Sequence, residues 1–277
     1  MHLIALETAT EACSVALYLD GEIIERHQIA PRRHAELVLP WIDELLAEAG
    51  IVRSQLDAVA CGQGPGAFTG VRLAVAITQG LALALDRPAI GVSTLHALAL
   101  PEMRVDEARR PDRVISTQAG FHTDRHAMSA AGSEVQPQAS RSLSAKRLLA
   151  AIDARMGEVY LAEYRVDAAQ GWQRVGDERV LAPASFEPAD GVDYIGVGTG
   201  FAADNGALIG AIGQGRVQFD ASALPRASAV ARLAIPALKR GEVSAPEHLQ
   251  PAYLRNQVAL TLQQQGKPVP KLPEGLL

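Results

Sequence analysis

The chain has 277 residues, of which 48% are hydrophobic and only 4% aromatic, and its formal net charge is −5. This length suffices for two domains with largely aliphatic cores, so the fold needs neither a disulfide nor a metal. The acidic balance argues against a protein that grips nucleic acid by itself, because such proteins concentrate Lys and Arg on one face. Cys13 and Cys61 stand in apolar runs and are predicted to be buried thiols of a reduced compartment.

Neither a secretion signal nor a membrane span is predicted. The first residues lack the basic segment and the long apolar run of a signal peptide. Asp86 and Arg87 interrupt the longest apolar stretch, which we therefore expect to fall short of a membrane-spanning helix. These patterns predict a cytoplasmic protein that does not enter the membrane.

The first part of the chain is predicted to begin with a meander of three strands. Residues 3–6, 13–19 and 22–29 have the composition of strands, and Asp20-Gly21 is a hairpin turn signal between the last two. A helix is predicted over 35–49, because apolar residues recur there at helical spacing.

A second helix, predicted over 70–85, has an unusual composition. After Arg72 it carries no charge, and Thr78 and Gln79 are its polar side chains there. A helix that is apolar on nearly all sides must be covered on nearly all sides. Either its own sheet and the first helix cover it or a partner protein covers the remainder, and the pattern alone favours neither.

The periodic pattern stops after residue 100. Residues 101–145 are rich in Arg, Ser, Gln, Pro and Ala, which predicts a long, mostly disordered insertion. The other predicted segments are strands at 56–61, 89–92, 148–153, 158–165, 172–180 and 194–197 and helices at 93–100, 202–212 and 227–240.

Three strands followed by alternating helices and strands predict an α/β fold with mixed sheets, in two lobes. We divide the chain into an N-terminal lobe (1–100), the insertion (101–145), a C-terminal lobe (146–262) and a loose tail (263–277).

Two glycine-rich loops, at 62–70 and 196–200, each join a predicted strand to a predicted helix. Such loops can cradle a phosphate on exposed N–H groups and a helix N-terminus. The first lacks the Lys-Ser/Thr pair of a P-loop and the spacing of a dinucleotide fingerprint. Taken alone, both are interpreted as structural turns.

The remaining polar clusters give weak signals of chemistry. Glu7, Thr8 and Thr10 stand where an actin-like ATPase would hold a metal and line a phosphate, but one carboxylate and two hydroxyls do not make that site. His122 and His126 have the spacing of a metal pair on a helix, without a further ligand in register. No metal site and no catalytic residue are predicted.

A polar group around residues 153–160 is also ambiguous. Asp153, Arg155, Glu158 and Tyr160 surround a predicted tight connection between two strands. They could form a site, but a hydrogen-bonded turn is the simpler interpretation.

Five motifs, in order along the chain, resemble those of the TsaB (YeaZ) family. The loop Gly64-Pro65-Gly66-Ala67-Phe68-Thr69-Gly70-Val71-Arg72 is similar to the family signature, in which Gly64, Pro65, Gly66, Phe68, Thr69, Gly70 and Arg72 are the matching positions. The other four are at 6–17, 33–40, 151–160 and 251–259. The resemblance covers nearly everything except residues 101–145 and the tail.

The resemblance implies a two-lobed actin-like (ASKHA, RNase H-like) fold with mixed β-sheets flanked by helices. It also implies a non-catalytic subunit that binds and supports TsaD, the subunit that forms N6-threonylcarbamoyladenosine at position 37 of tRNA. TsaE and TsaC complete that pathway, family members form homodimers in isolation, no cofactor is implied, and contact with tRNA is indirect.

In that family the two N-terminal helices form both the homodimer and the TsaD interface. On this basis we predict eight interface residues, namely Val38, Trp41, Ile42, Leu45, Val71, Ala74, Val75 and Thr78. The same resemblance settles the open question about the second helix in favour of a partner.

Two departures from the family accompany these expectations. Glu7 stands where relatives commonly have Asp, and the insertion is far longer than the usual connection, so it is either an additional loop or a mistranslated stretch. TsaD carries a metal-binding histidine pair just after the strand equivalent to 89–92, where this chain has His96 alone.

The alternatives to a TsaD-binding subunit are a stand-alone actin-like ATPase or glycoprotease-like hydrolase, and a free-standing tRNA-binding protein.

Overall fold

The structure, a computed structural model, describes residues 1–103, 114–116, 146–167 and 171–255. In chain order the elements are β1 (His2–Glu7), β2 (Ala12–Leu19), β3 (Glu22–Ile29), α1 (His34–Glu48), β4 (Ala58–Gly62), α2 (Phe68–Leu85), β5 (Ala89–Val92), α3 (Thr94–Met103), β6 (Val114–Ser116), β7 (Lys146–Arg155), β8 (Glu158–Asp167), β9 (Gly171–Arg174), β10 (Arg179–Leu181), β11 (Asp193–Val197), α4 (Ala207–Ile212), β12 (Val217–Asp220) and α5 (Ala227–Arg240).

These elements build two mixed sheets. The first has the order β5-β4-β1-β2-β3-β6, with β1, β2 and β3 antiparallel and β4 and β5 parallel to β1. The second has the order β10-β8-β7-β11-β12, with β9 paired to β8. The predicted meander and the predicted α/β class with mixed sheets in two lobes are confirmed.

The two sheets repeat one topology. In each, a central strand forms an antiparallel hairpin with the next strand and pairs in parallel with a later one, β1 with β2 and β4, and β7 with β8 and β11. Each later strand pairs in parallel with one further strand, β5 or β12. A glycine-rich loop therefore leaves β4 and β11 at equivalent places.

Helices cover both faces of the first sheet. The side chains of α1 and α2 form one core with β1, β2 and β4, and α5 packs on the opposite face of the same sheet. Helix α3 packs on the second sheet and also contacts α5, while α4 covers the other face of that sheet. Helix α5, which we assigned to the C-terminal lobe, thus packs on the first sheet. The limits of the domains stay a prediction.

Strands β2 and β3 supply the cap of α5. The Ala227 N–H donates to Ser14 Oγ at 2.9 Å, and the Ser228 N–H donates to the buried carboxylate of Glu25 at 2.9 Å. Arg226 forms a salt bridge with the same carboxylate at 2.8 Å. Because the first N–H groups of a helix need acceptors, these contacts fix the start of α5 on the sheet although no local side chain caps it.

Several sequence predictions change in detail. The predicted strand at 172–180 is two strands, β9 and β10, the predicted helix at 202–212 shortens to α4 after two 3₁₀ turns, and β12 was not predicted. The predicted insertion contains β6, and α3 extends into it to Met103. The rest of the insertion, His122, His126 and the tail lie outside the described residues.

Candidate partner interface and the loops behind it

The carboxylate of Glu7, at the end of β1, is completely buried. It accepts hydrogen bonds from the Ala9 N–H at 2.7 Å and from Thr94 Oγ1 at 3.3 Å. Burial raises its pKa to about 7, and these hydrogen bonds only partly oppose that rise. A group enclosed in this way is a structural carboxyl between β1 and α3 rather than an exposed metal ligand.

The neighbouring hydroxyls also point into the protein. Thr8 Oγ1 donates to the carbonyl of Gly70 at 2.7 Å, and Thr10 Oγ1 accepts from the Ala12 N–H at 3.4 Å. The residues that would line a phosphate in an actin-like ATPase are therefore engaged with backbone groups of this chain.

The first glycine-rich loop packs against the residues that connect β1 to β2. A Cβ at Gly70 would lie 2.0 Å from the Thr8 carbonyl oxygen, and one at Gly66 would lie 2.5 Å from that of Ala9. The Ala67 N–H donates to the same Ala9 carbonyl at 2.7 Å. Glycine is needed at both positions because only a residue without a side chain permits this approach.

The other signature residues are divided between buried and exposed positions. Gly64 and Pro65 are buried, whereas Thr69 is exposed at the start of α2. The Arg72 guanidinium carbon lies 3.2 Å from the Phe68 ring centroid and 4.8 Å from that of Tyr253. The signature motif thus combines a packing function in its glycines with an exposed aromatic–arginine stack, which we define as Phe68, Arg72 and Tyr253.

The second glycine-rich loop is packed in the same manner. A Cβ at Gly198 would lie 2.3 Å from the Ala151 carbonyl oxygen, and one at Gly200 would lie 2.6 Å from the Ala151 side chain. This loop is followed by 3₁₀ turns and the six-residue α4 rather than by a long helix.

The turn between β7 and β8 is the most exposed of the predicted polar clusters. Asp153 accepts from the Arg155 N–H at 2.7 Å, and Met156 at the tip is 82% exposed. Arg255, from the C-terminal segment, donates to the Ala154 carbonyl at 3.2 Å and forms an ion pair with Glu158. The hydrogen-bonded turn is the arrangement observed, and it is attached to the C-terminal segment.

The eight predicted interface residues do not lie at the surface. All of them are at most 6% exposed, and most belong to the core between the two helices and the first sheet. The apolar periodicity of α1 and α2 identifies the side that packs on their own sheet, and the assignment of these eight residues to a partner contact stays a prediction.

The opposite side of α2 is a second apolar surface. Its exposed residues are Phe68, Thr69, Ala76, Gly80, Leu83 and Ala84. Leu83 is 70% exposed, and Leu39 of the neighbouring α1 also faces solvent. Sequence periodicity could not separate this surface from the core side, but the absence of charge after Arg72 was the signal that it exists. We call these six residues the outer face of α2.

Helix α2 corrects one expectation about membranes. Its 18 residues, with a mean hydropathy of 1.5, are long and apolar enough to cross a bilayer, although 28% of the window is buried in the protein. One such helix is weak evidence of a span, because core helices have the same composition. Here one side of α2 packs on β4 and β1.

His96 does not lie among metal ligands. Its ring packs against Tyr164 at a tilt of 31° with centroids 5.5 Å apart, and burial lowers the pKa of the imidazole. Within the described parts of the chain no three side chains of His, Cys, Asp or Glu converge as a metal site.

Comparisons with known proteins match nearly the whole chain to TsaB proteins and part of it to a TsaD model. The model of "TsaD: tRNA N6-adenosine threonylcarbamoyltransferase" matches residues 25–139. Two curated proteins named "tRNA threonylcarbamoyladenosine biosynthesis protein TsaB" are similar along nearly their whole length. The one from Escherichia coli is 36% identical over 94% of this chain and 96% of its own, and the one from Haemophilus influenzae is 34% identical over 93% and 95%. The solved structure "YeaZ from Pseudomonas aeruginosa" superposes with a TM-score of 0.70 at 38% identity, covering 91% of this chain and 99% of the other.

Proposed function

The chain belongs to the TsaB (YeaZ) family of tRNA threonylcarbamoyladenosine biosynthesis proteins, and from that premise we propose that it is a non-catalytic subunit that binds and supports TsaD. TsaD would then form N6-threonylcarbamoyladenosine at position 37 of tRNA, with TsaC and TsaE acting in the same pathway in the cytoplasm. The outer face of α2 is the observation that carries this proposal, because an exposed helix face that has no charged residue after Arg72 is typical of a protein contact surface.

The family match with TsaD supports the choice of partner. The matched segment, residues 25–139, contains the whole of α1 and α2. When two related chains carry the same pair of helices, a contact that joins two copies of one chain can also join one copy of each, about a pseudo-twofold axis. We therefore propose that the homodimer and the complex with TsaD use the same face and exclude one another.

The enclosed loops support a subunit without catalysis of its own. The side chains of Glu7 and Thr8 form hydrogen bonds with Ala9, Thr94 and Gly70. The proposal therefore assigns the chemistry, and direct contact with tRNA, to TsaD. The net charge of −5 agrees with an indirect role in tRNA binding.

Reconstitution tests the functional part of this proposal. Threonylcarbamoyladenosine formation is measured on tRNA with TsaC, TsaD and TsaE, with and without this chain. Modification should require the chain, and the chain alone should neither modify tRNA nor hydrolyse ATP. Equal modification without it would overturn the proposal, and ATP hydrolysis by the isolated chain would favour the actin-like ATPase.

A pair of glycine substitutions tests the face. A Cβ at Gly80 on α2 or at Gly210 on α4 meets no atom within 4 Å, so either position accepts a side chain in the monomer. Gly80→Arg places a charge on the outer face, where burial against a partner would leave it unpaired, and should abolish binding to TsaD and homodimer formation. Gly210→Arg is the matched control and should bind as the wild type. If Gly80→Arg binds TsaD normally, the outer face of α2 is not the interface.

A further inference from the structure

The C-terminal segment crosses from the first sheet to the second and carries an exposed aromatic ring. We call residues 244–255 the strap. Ser244 pairs with Ala89 of β5, and the carbonyl of Leu249 accepts from Gln79 Nε2 at 3.0 Å. The Ala252 N–H donates to the Gln63 carbonyl at 2.7 Å. The strap is therefore attached to β5, to α2 and to the first glycine-rich loop before it reaches the β7–β8 turn.

These attachments hold Tyr253 in place while leaving its ring exposed. Its neighbour Ala252 is hydrogen-bonded to the glycine-rich loop, and Arg255 is fixed on the Ala154 carbonyl. Tyr253 is 56% exposed and Phe68 is 63% exposed, and the Arg72 guanidinium lies against both rings. An aromatic ring that is already ordered gives up little freedom on binding, which is the property of residues that dominate interface affinity.

Met156 extends the same surface onto the second sheet. Its sulfur lies 3.7 Å from the guanidinium of Arg255, two residues after Tyr253. Aromatic residues, Met and Arg are the side chains enriched in protein interfaces. Phe68 and Tyr253, which share Arg72, and Met156, which contacts Arg255, thus place side chains of this kind beside both sheets.

The aromatic–arginine stack is continuous with the outer face of α2. Phe68, Arg72, Ala76 and Gly80 follow one another at intervals of four residues, so they lie along one side of the helix. A partner that contacts Ala76 and Gly80 would also lie next to the stack, because Arg72 is about one helical turn before Ala76 and about two turns before Gly80.

The size of the outer face points to a contact beyond the helices. Helix α1, with 15 residues, is about 22 Å long and α2, with 18 residues, about 27 Å, so at a width of about 10 Å each the two helices present a footprint of roughly 500 Å². A stable interface buries about 800 Å² on each partner. The helices alone fall short of that area, and the exposed rings beside them supply more apolar surface.

We infer that the strap and the β7–β8 turn form a second contact region for the TsaD-type partner that covers α2, with Tyr253 and Met156 as its anchors. This inference rests on the proposed function and adds that the partner contacts both sheets at once. Binding then holds the two sheets in one relative position through the strap.

Footprinting of the wild-type proteins tests the inference without a mutation. Hydroxyl-radical oxidation of Met156 and Tyr253 should fall at least about fivefold in the complex with TsaD. Phe219, an exposed ring on the edge strand β12, is the internal control and should be oxidised at the same rate in both states. Unchanged oxidation of Met156 and Tyr253 in a complex that is otherwise fully formed would overturn the inference.

Titration calorimetry of TsaD binding to variants of the chain is a second test of the inference. Tyr253→Ala and Met156→Asn should each weaken TsaD binding by about tenfold, and Phe219→Ala should change it by less than about twofold. If Gly80→Arg abolishes binding while Tyr253→Ala and Met156→Asn bind as the wild type, the second contact region is wrong and the proposed function stands. If Gly80→Arg has no effect either, the proposed function itself fails.

Discussion

The two sheets share a topology but differ in where they expose apolar side chains. In the first, residues 8–10 of the connection from β1 to β2 are buried, and the glycine-rich loop after β4 leads into the 18-residue α2 with an exposed apolar face. In the second, the loop after β11 leads only to short turns and α4, whereas the β7–β8 turn is exposed. The same strand order therefore supports an exposed apolar helix face in one lobe and an exposed turn in the other, and the topology alone does not indicate which surface a partner uses.

The close packing of both glycine-rich loops is the feature that the two regions share, and substitutions there have the largest expected effect. Gly70→Ala and Gly198→Ala each place a Cβ within 2.3 Å of a backbone carbonyl oxygen, so we expect each to lower the free energy of unfolding by about 3 kcal/mol. Urea unfolding measures both. Gly80→Ala, with open space around it, should instead stabilise by about 0.5 kcal/mol. A tolerated Gly198→Ala would show that only the first loop is close-packed.

The buried carboxyl of Glu7 in the first sheet should make the stability of the chain depend on pH. The pKa of Glu7 is raised from 4.5 to about 7, so between these values the unfolded chain has released a proton that the folded chain still holds. Stability from this group is therefore lost as pH rises, by up to about 3 kcal/mol at pH 8. Glu7→Gln removes that loss, so variant and wild type should match near pH 4 and differ most at pH 8.

Glu163 of the second sheet is the matched control for Glu7. It pairs with Arg147 at 2.5 Å, so Glu163→Gln should destabilise the chain at pH 8 by removing that ion pair. Thermal unfolding across pH 4 to 8 distinguishes the two carboxyls. Parallel curves for the wild type and Glu7→Gln would contradict the raised pKa.

Arg255 joins the two regions, and its removal should have an intermediate effect. Arg255→Ala removes the ion pair with Glu158 and the hydrogen bond to the Ala154 carbonyl, at an expected cost of about 1.5 kcal/mol after allowance for partial exposure. Arg240→Ala, which removes an exposed ion pair with Glu242, should leave the free energy of unfolding unchanged. Hydrogen exchange of the Ala252 amide should rise in Arg255→Ala alone, and an unchanged rate there would show that the strap is held without Arg255.

The smallest expected effect concerns the β7–β8 turn. Met156 and Gly157 have φ angles of 58° and 74°, the left-handed region that favours Asn-Gly in hairpin turns. The β2–β3 turn already has Asp20-Gly21 at such angles. Met156→Asn should therefore stabilise the fold by about 0.5 kcal/mol, measured by urea unfolding, while weakening TsaD binding. A gain in stability with unchanged binding would show that Met156 serves no partner.

Much of the fold follows from local pattern. The Asp20-Gly21 turn and the alternating apolar residues around it predicted the meander, and helical periodicity placed α1 and α2 within about two residues. The burial of Cys13 and Cys61 is confirmed as well. The packing of α5 on the first sheet was not predicted, because its cap comes from Ser14 and Glu25, more than 200 residues earlier in the chain.

The candidate site, like the fold, was predicted only in part from the sequence. The sequence by itself determined the family, the two-lobed α/β class and the existence of an uncharged helix, because motifs, strand alternation and composition are local properties of the chain. Only the tertiary structure decided which side of that helix is free, since periodicity gives the direction of an apolar stripe but not whether a sheet or solvent faces it. It also decided that Tyr253 lies beside Phe68 and Arg72 and that Met156 lies against Arg255, because the strap that carries Tyr253 and Arg255 is held by hydrogen bonds between residues far apart in sequence.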